Sequence, residues 1–246
     1  MSLRVVSYNI RLSGSGREKA IASVINFCEP DLVILEEATR PDVVQRLASD
    51  CGMKVWGAVH GDSLAFLSRV DLVDHKWHQV RFARRRYLEI VLPGSSSRIF
   101  GVHLSAIHSN VTERRRMYEL QSVLAGVAEH QDGMHVVTGD FNTLAPGEQL
   151  DLRKLPLRLR LITWVTGRKI RWRTIQAMLD AGYSDGYRMF ATDHGYTFPT
   201  WDPHVRLDYA FVPTPLKDRL KRCVVICDAP ALKEASDHFP LLFEIE

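Results

Sequence analysis

The sequence predicts a single α/β domain in which mixed β-sheets are covered by helices. Short continuous apolar runs, such as residues 31–35 and 134–138, are typical of strands that are buried on both faces. Segments with the apolar period of a helix alternate with these runs. The chain has 246 residues, 46% of them hydrophobic, and it contains no internal repeat, low-complexity tract or convincing linker. We therefore expect residues 1–246 to form one domain with a sizeable core.

Four segments have the apolar period of an amphipathic helix. Pro41 lies near the start of the second segment, where proline is favoured, and Gly182 follows the fourth, where glycine commonly ends a helix. The third segment begins with the arginines 114–116, which we expect to lie on a solvated face. The four segments are residues 17–28, 41–49, 112–128 and 174–181.

Ten further runs have the composition of β-strands. Those between residues 53 and 106 are separated by Gly, Ser or Arg, which predicts an antiparallel meander. The strand-like runs are residues 4–10, 31–35, 63–68, 70–78, 86–92, 98–105, 134–138, 206–212, 222–227 and 239–245.

Composition excludes several classes of protein. No run of about 18 apolar residues exists, so we expect no transmembrane helix. The first residues lead directly into a strand pattern without an apolar signal segment, so we expect a cytoplasmic protein. We also expect a monomer. Four cysteines are too few for a disulfide framework in a chain of this size, and we expect buried or inert thiols instead of disulfides or a zinc site.

The charge is unevenly distributed. The chain carries a formal net charge of +3, but residues 153–173, here called the basic segment, contain eight cations and no acid. Trp164 and Trp172 lie among these cations, a mixture suited to phosphate contacts and base stacking. The same segment also contains leucines that would suit an anionic membrane surface, and a solvated basic face is a third interpretation. The segment therefore predicts an anionic partner, with nucleic acid preferred.

Polar residues stand where predicted strands end, which is where functional sites are usually built. Taken singly, each has an ordinary explanation, such as a turn residue, a solvated strand end or a core histidine. Their joint occurrence at successive strand ends favours one shared site. The residues are Asn9, Glu36, Glu37, His103, Asp140, Asn142, Asp208, Asp237 and His238.

The motifs that contain these residues occur in a characteristic order. They are Ser-Tyr-Asn-Ile at 7–10, Leu-Glu-Glu at 35–37, Val-His-Leu at 102–104, Gly-Asp-Phe-Asn at 139–142, Leu-Asp-Tyr at 207–209 and Ser-Asp-His at 236–238. This ordered set resembles the endonuclease/exonuclease/phosphatase superfamily, also called deoxyribonuclease-I-like, over residues 4–245. The resemblance implies a four-layer sandwich, in which two packed mixed β-sheets are flanked by helices and the site lies at one end. It also implies a divalent-metal phosphodiesterase or phosphatase.

The resemblance implies metal ligands as well. Glu37 occupies the position of the family's metal carboxylate, Asn9 would lie beside the metal and the phosphate, and Asp237 would be a further acid for a second metal. Glu36 stands where the family usually has Gln. Because adjacent strand residues point to opposite faces, we expect only one of the two glutamates to reach the site. Oxygen ligands of this kind suit Mg²⁺ or Mn²⁺, which would neutralise the charge of a phosphodiester.

Catalytic roles follow from the same resemblance. Asp140 would orient and deprotonate the attacking water, and Asn142 would hold that water or a phosphate oxygen. His103 and His238 would contact the scissile phosphate, with Asp208 orienting His238 and favouring its charged form. These roles require no covalent intermediate on the enzyme.

Three functions remain compatible with the sequence. The first is a nuclease or nucleic-acid repair phosphodiesterase, favoured by the basic segment. The second is a phosphodiesterase or phosphatase that acts on a lipid or another small phosphorylated molecule. The third, a binding module without turnover, is the weakest because every expected catalytic position is filled. Tyr8-Asn9 stands where abasic-site endonucleases commonly have Trp-Asn, and this departure does not identify the substrate.

Overall fold

Two six-stranded sheets form the framework of the protein in a computed structural model. The structure describes residues 2–148, apart from 82, 84, 95, 96, 107–109 and 132, and residues 172–246. The basic segment therefore lies outside the described residues except for Trp172 and Arg173.

The first sheet contains one parallel pair of strands. Strands β1 and β2 run parallel, with Asn9 opposite Glu36, and their other neighbours are antiparallel. In spatial order the strands are β11 (Leu220–Val225), β12 (Leu241–Ile245), β1 (Leu3–Asn9), β2 (Leu32–Glu36), β4 (Ala65–Ser68) and β3 (Val55–Ala58).

The second sheet is built in a similar way. Strands β7 and β8 run parallel, with His103 opposite Asp140, and β10 lies antiparallel to β8, with Asp208 opposite Asp140. In spatial order the strands are β5 (Asp74–Gln79), β6 (Arg86–Val91), β7 (Arg98–His103), β8 (His135–Asp140), β10 (Asp208–Pro213) and β9 (Tyr183–Asp185).

Three apolar cores separate four layers. The inner core joins the two sheets, for example through Val5 of β1 and Val136 of β8. Val6, which points to the other face of β1, packs in a second core against the first pair of helices. A third core joins the outer face of the second sheet to the third and fourth helices of the chain. The helices are α1 (Glu18–Cys28), α2 (Pro41–Asp50), α3 (Asn110–Val127), α4 (Arg173–Asp180), α5 (Gly186–Phe190) and α6 (Leu232–Ala235). The predicted four-layer sandwich is confirmed.

The predicted meander is wrong in one part. Strand β4 pairs with β2 and β3 in the first sheet, and only β5, β6 and β7 form an antiparallel meander in the second. The reason is that β4 is buried on both faces, with Phe66 in the inner core and Leu67 in the second core. Such a strand must lie where both faces of the sheet are covered, whereas β5 is mostly exposed. Strands β3 and β9 and the helices α5 and α6 were not predicted.

The expected solvated face at the start of α3 is also wrong for Arg116. Its side chain is buried; the guanidinium binds Glu113 Oε2 at 2.8 Å and donates to the carbonyl oxygen of Ser105 at 2.8 Å. The other oxygen of Glu113 accepts from the backbone of Thr174 in α4 at 3.1 Å. The i,i+3 spacing of Glu113 and Arg116 was the available signal, but only packing against α4 and the end of β7 makes the pair internal.

The four cysteines form no disulfide. The cysteines are free, and Cys28, Cys51 and Cys223 are buried as expected, whereas Cys227 is exposed. Burial raises the pKa of the Cys28 thiol to about 12, so this thiol is protonated at neutral pH. Within the described parts of the chain, no helix has the length and apolar character needed to cross a membrane.

Candidate active site

The carboxyl ends of both parallel strand pairs meet at one end of the sandwich. Asn9, Glu36, His103 and Asp140 are the last residues of β1, β2, β7 and β8, respectively. The Nδ2 atom of Asn9 donates to Oδ2 of Asp140 at 3.0 Å, which joins the two sheets directly. Polar strand ends that were far apart in sequence therefore form one buried cluster.

Asp208, the first residue of β10, and His238, in the loop that precedes β12, complete the cluster. Nδ1 of His238 lies 2.9 Å from Oδ2 of Asp208, and its Nε2 lies 4.0 Å from Oδ2 of Asp140. Burial by itself lowers the pKa of His238, but the charge and hydrogen bond of Asp208, together with Asp140 and Asp237, raise that pKa to about 10. His238 is therefore an imidazolium at neutral pH, and it donates from Nδ1 to Asp208.

Asp140 lies between neutral and cationic partners. Besides the bond from Asn9, its Oδ1 accepts from the backbone N–H of Asn142 at 2.8 Å. Burial, and then the charge of Asp208, raise the pKa of the Asp140 carboxyl above its ordinary value, while His238 and the hydrogen bonds act in the opposite direction. A carboxyl whose pKa is raised in this way is a stronger base than an exposed aspartate.

His103 has a different environment from His238. Its Nδ1 contacts the hydroxyl of Ser63, and its Nε2 lies 3.7 Å from Oδ2 of Asp140. Burial, and then the charges of Arg85 and His238, lower the pKa of His103 well below its ordinary value. The site thus contains one neutral and one charged imidazole.

Both glutamates at the end of β2 reach the site, contrary to the expectation from strand alternation. Glu36 is buried; its Oε1 accepts from the hydroxyl of Ser7 at 2.7 Å, and burial followed by the nearby charge of Asp208 raises its pKa. Glu37 has a φ of 57°, outside the extended region, so it has left the strand and its alternation. Its Oε1 lies 3.3 Å from Nδ2 of Asn9, and its Oε2 accepts from the backbone of Leu12 at 2.6 Å.

Asn142 and Asp237 lie at the margins of the cluster. Asn142 donates through Nδ2 to the carbonyl oxygen of Leu104 at 3.1 Å, so this amide is held by the backbone that follows β7. Asp237 directly precedes His238 in the chain, and its Oδ2 lies 3.3 Å from Nε of Arg11. Asn142 and Asp237 are both partly exposed, whereas Asp140 is buried.

A family model matches residues 6–238 and carries the description endonuclease/exonuclease/phosphatase family. The chain belongs to this family. No curated protein sequence matches it significantly. The family assignment and the resemblance stated from the motifs agree, and the protein is an enzyme of this family.

Solved structures show the same fold at low sequence identity. One is the 3′ phosphatase NExo from Neisseria bound to product DNA hairpin, with a TM-score of 0.75, 19% identity and 99% of each chain covered. An AP endonuclease from Archaeoglobus fulgidus has a TM-score of 0.75 and 16% identity over 99% of each chain. A humanized D. rerio TDP2 has a TM-score of 0.68 and 17% identity, with 100% of this chain and 99% of that chain covered.

The oxygen donors of this family member fit a divalent cation. Carboxyl groups of Glu36, Glu37, Asp140 and Asp208 gather at one end of the sandwich, and Oε2 of Glu36 is a buried oxygen without a hydrogen-bond partner among the described residues. After burial, the charge of Asp208 contributes to the raised pKa values of Glu36 and Asp140, and the charge of Asp140 also raises the pKa of Glu36. A hard cation with oxygen ligands would offset that repulsion. Ligand atoms of Asp140, Asp208 and His238 also lie within 4.8 Å of one another, but the imidazole is hydrogen-bonded to Asp208.

Sequence reasoning missed the residues that orient this site. Ser7 binds Glu36, and Ser63 contacts His103 and also accepts from the backbone N–H of Glu37 at 3.2 Å. Arg17 donates to the carbonyl oxygens of Ile10 and Ala235 and so joins the segments that follow β1 and precede β12. A serine or an arginine has no sequence signal for such a role, because only the fold brings it to the polar cluster.

Proposed function

We propose that the protein is a divalent-metal-dependent phosphodiester hydrolase that acts on nucleic acid and activates water through Asp140. The observation that carries the proposal is the contact set of Asp140, whose Oδ2 faces the amide of Asn9 and the Nε2 atoms of both histidines. A carboxylate surrounded by donors, with a second carboxylate pairing the charged histidine, suits displacement at an anionic phosphorus centre.

Asp140 is the proposed general base. Its Oδ1 accepts from the backbone of Asn142 and its Oδ2 accepts from the amide of Asn9. A carboxylate oxygen can accept more than one hydrogen bond, so the carboxylate can still take a proton from water. The raised pKa of this carboxyl favours proton uptake as the water attacks. Asn142 would help to hold the water or a phosphate oxygen without adding charge.

His238 and His103 are the proposed phosphate contacts. His238 is charged and directs Nε2 toward the Asp140 side, where it can donate to a phosphate oxygen as negative charge develops. Ser63 can donate its hydroxyl hydrogen to Nδ1 of His103, because its oxygen already accepts from Glu37. Neutral His103 would then donate from Nε2.

Glu37 and Asn9 would hold the metal ion, with Asp237 as a further acid. A bound Mg²⁺ or Mn²⁺ supplies charge neutralisation at the phosphate. Nδ2 of Asn9 lies 3.3 Å from Oε1 of Glu37 and also donates to Asp140, the proposed base. Asn9 therefore connects the proposed metal ligand with the group that activates water. Asp237 has a cationic partner in Arg11 at 3.3 Å, so we assign it to a second ion and not to the main site.

Nucleic acid is the proposed substrate because of two supporting observations. The similar folds include a 3′ phosphatase bound to a product DNA hairpin and an AP endonuclease. The basic segment adds eight cations without an acid, which suits a polyanion. A lipid or a small phosphorylated molecule is the alternative class of substrate.

A substrate panel tests the proposal. Plasmid DNA, single-stranded DNA and RNA, phospholipids and inositol phosphates are incubated with the protein and Mg²⁺ or Mn²⁺, with and without EDTA. We expect metal-dependent hydrolysis of a nucleic acid that Asp140→Asn abolishes. Hydrolysis of a phospholipid or inositol phosphate alone would overturn the substrate assignment, and nucleic-acid cleavage that persists in EDTA would overturn the metal dependence.

A further inference from the structure

An exposed tryptophan stands beside the candidate active site. Trp201 is 60% exposed, although it is among the largest apolar side chains and such residues are usually mostly buried. Its ring lies 6.3 Å from that of Phe198 at an interplanar angle of 64°. Phe198 in turn lies 4.9 Å from the imidazole of His238. One aromatic ring therefore separates Trp201 from the proposed phosphate contact.

The segment that carries Trp201 is hydrogen-bonded to residues 236–239, the loop that contains His238. The N–H of Thr200 donates to the carbonyl oxygen of Asp237 at 2.9 Å, and the Thr200 hydroxyl donates to that of Ser236 at 2.9 Å. The backbone N–H of Phe239 donates to the carbonyl oxygen of Thr197 at 2.8 Å. Residues 197–201 therefore have a defined position relative to His238, and the indole is presented from a rigid support.

The contact with Phe198 is T-shaped, and Trp201 keeps 60% of its surface exposed, so much of the indole is open to solvent. A flat ring that joins this face by stacking would gain apolar contact and favourable ring geometry at little cost in conformational entropy. In a nucleic acid, each base is joined to its phosphate by a single sugar. A base next to a phosphate at His238 is thus the flat group within reach.

We infer that Trp201 is a stacking platform for a nucleobase adjacent to the scissile phosphate, and so determines how single-stranded substrate is held. The inference rests on the proposed nuclease function, since it assigns the base next to the phosphate in that site. Stacking on an aromatic ring tolerates any base, because every base has a π-face. Trp201 would therefore favour unpaired nucleotides without selecting their sequence.

Binding measurements with matched oligonucleotides test this role. The parent is Asp140→Asn, which prevents cleavage, and it is compared with the same protein carrying Trp201→Ala, Trp201→Phe or Phe27→Ala. Phe27 is the control because it is also an exposed aromatic residue, with 48% of its surface exposed, but lies away from the candidate site. It is in α1 next to Cys28, whose carbonyl oxygen accepts from Arg4. Arg4 lies at the start of β1, whereas Asn9 lies at its end. Two fluorescent single strands of equal length, one with bases and one with abasic sugars throughout, are titrated with Mg²⁺ present.

The expected result is a coupling between the ring and the bases. Trp201→Ala should weaken binding of the base-containing strand by roughly 5- to 150-fold, the range of one lost base–aromatic stack. The loss of affinity should be much smaller on the abasic strand. Trp201→Phe should retain most of the parent's affinity for the base-containing strand. Phe27→Ala should bind both strands like the parent. Equal losses on both strands, or no loss on either, would overturn the stacking role.

Two further outcomes separate the inference from the function on which it rests. If the wild type cleaves nucleic acid and Trp201→Ala binds both strands like the parent, only the inference fails. If the wild type cleaves no nucleic acid and the parent binds neither strand, both fail. Vesicles of phosphatidylserine and phosphatidylcholine provide the other control. Loss of vesicle binding in Trp201→Ala, with oligonucleotide affinity unaltered, would identify Trp201 as a membrane anchor and overturn the proposal.

Discussion

The ion pair of His238 and Asp208 predicts a specific change in the pH dependence of activity. The Asp208 carboxylate, 2.9 Å from Nδ1, outweighs the effect of burial and raises the pKa of His238 from 6.5 to about 10. The imidazole therefore keeps its proton until the pH rises through about 10. Asp208→Asn removes the charge but nearly preserves the shape. Burial is then opposed only by the charges of Asp140 and Asp237, and the pKa of His238 should fall from about 10 toward its ordinary value of 6.5.

The magnitude follows from the protonated fraction of His238. At pH 8, a group with a pKa near 10 is about 99% protonated, whereas one with a pKa near 6.5 is about 3% protonated. If charged His238 donates to the phosphate, kcat/KM of Asp208→Asn at pH 8 should fall by up to about 30-fold. The loss should shrink as the pH is lowered toward about 5.5, where the imidazole of the variant regains its proton.

The assay is a set of pH–rate profiles on one substrate for the wild type, Asp208→Asn, His238→Ala and the double variant. Asp74→Asn, at an exposed position of β5, is the matched control and should follow the wild type. In the His238→Ala background, Asp208→Asn should cost much less than it does alone, because its effect acts through the imidazole. Parallel profiles of Asp208→Asn and the wild type, or additive losses in the double variant, would refute the pairing.

Three other predictions address the metal, the base and the basic segment. EDTA should abolish hydrolysis, and Glu37→Gln should raise the metal concentration needed for activity far more than Glu36→Gln; the opposite order in a metal titration would exchange their roles. Asp140→Asn should lower kcat by at least about 100-fold while its thermal unfolding stays cooperative, and near-normal turnover in a folded variant would exclude Asp140 as the base. Replacing the four cations of residues 168–173 by Gln should weaken nucleic-acid binding and reduce the slope of log affinity against log salt by up to roughly 0.7–0.9 per lost phosphate contact. An unchanged salt slope would remove the basic segment from the substrate interface.

Several features of the fold are readable from local sequence because local physics produces them. The continuous apolar run 31–35 belongs to β2, which is buried on both faces, and the apolar face of 112–128 belongs to α3, which covers the second sheet. Asn9, His103 and Asp140 each end a strand of a parallel pair, so polar residues at the ends of apolar runs indicated which side chains lie at one end of the sandwich. Short motifs retained in order then sufficed to identify the family.

Tertiary packing decided what the local patterns left open. Strand alternation predicted that only one of Glu36 and Glu37 reaches the site. Glu37 follows β2 with a left-handed backbone, and both carboxyl groups therefore lie at the site. Arg116 looked like a solvated cation until α4 and the end of β7 enclosed it with Glu113. The position of β4 likewise depended on which sheet offered cover for both of its faces.

By itself, the sequence determined the α/β class, most strand and helix positions and the family, and it predicted which polar residues form the candidate site. These properties depend on residue type and on spacing along the chain, which act over a few residues at a time. Only the tertiary structure decided the protonation states, because the charge on His238 and the neutrality of His103 arise from burial and from partners distant in sequence. It also decided the contact between Asn9 and Asp140, which lie 131 residues apart, and the exposure of Trp201 beside His238. Such contacts form when two sheets pack face to face, and no local pattern in either segment encodes the distance between them.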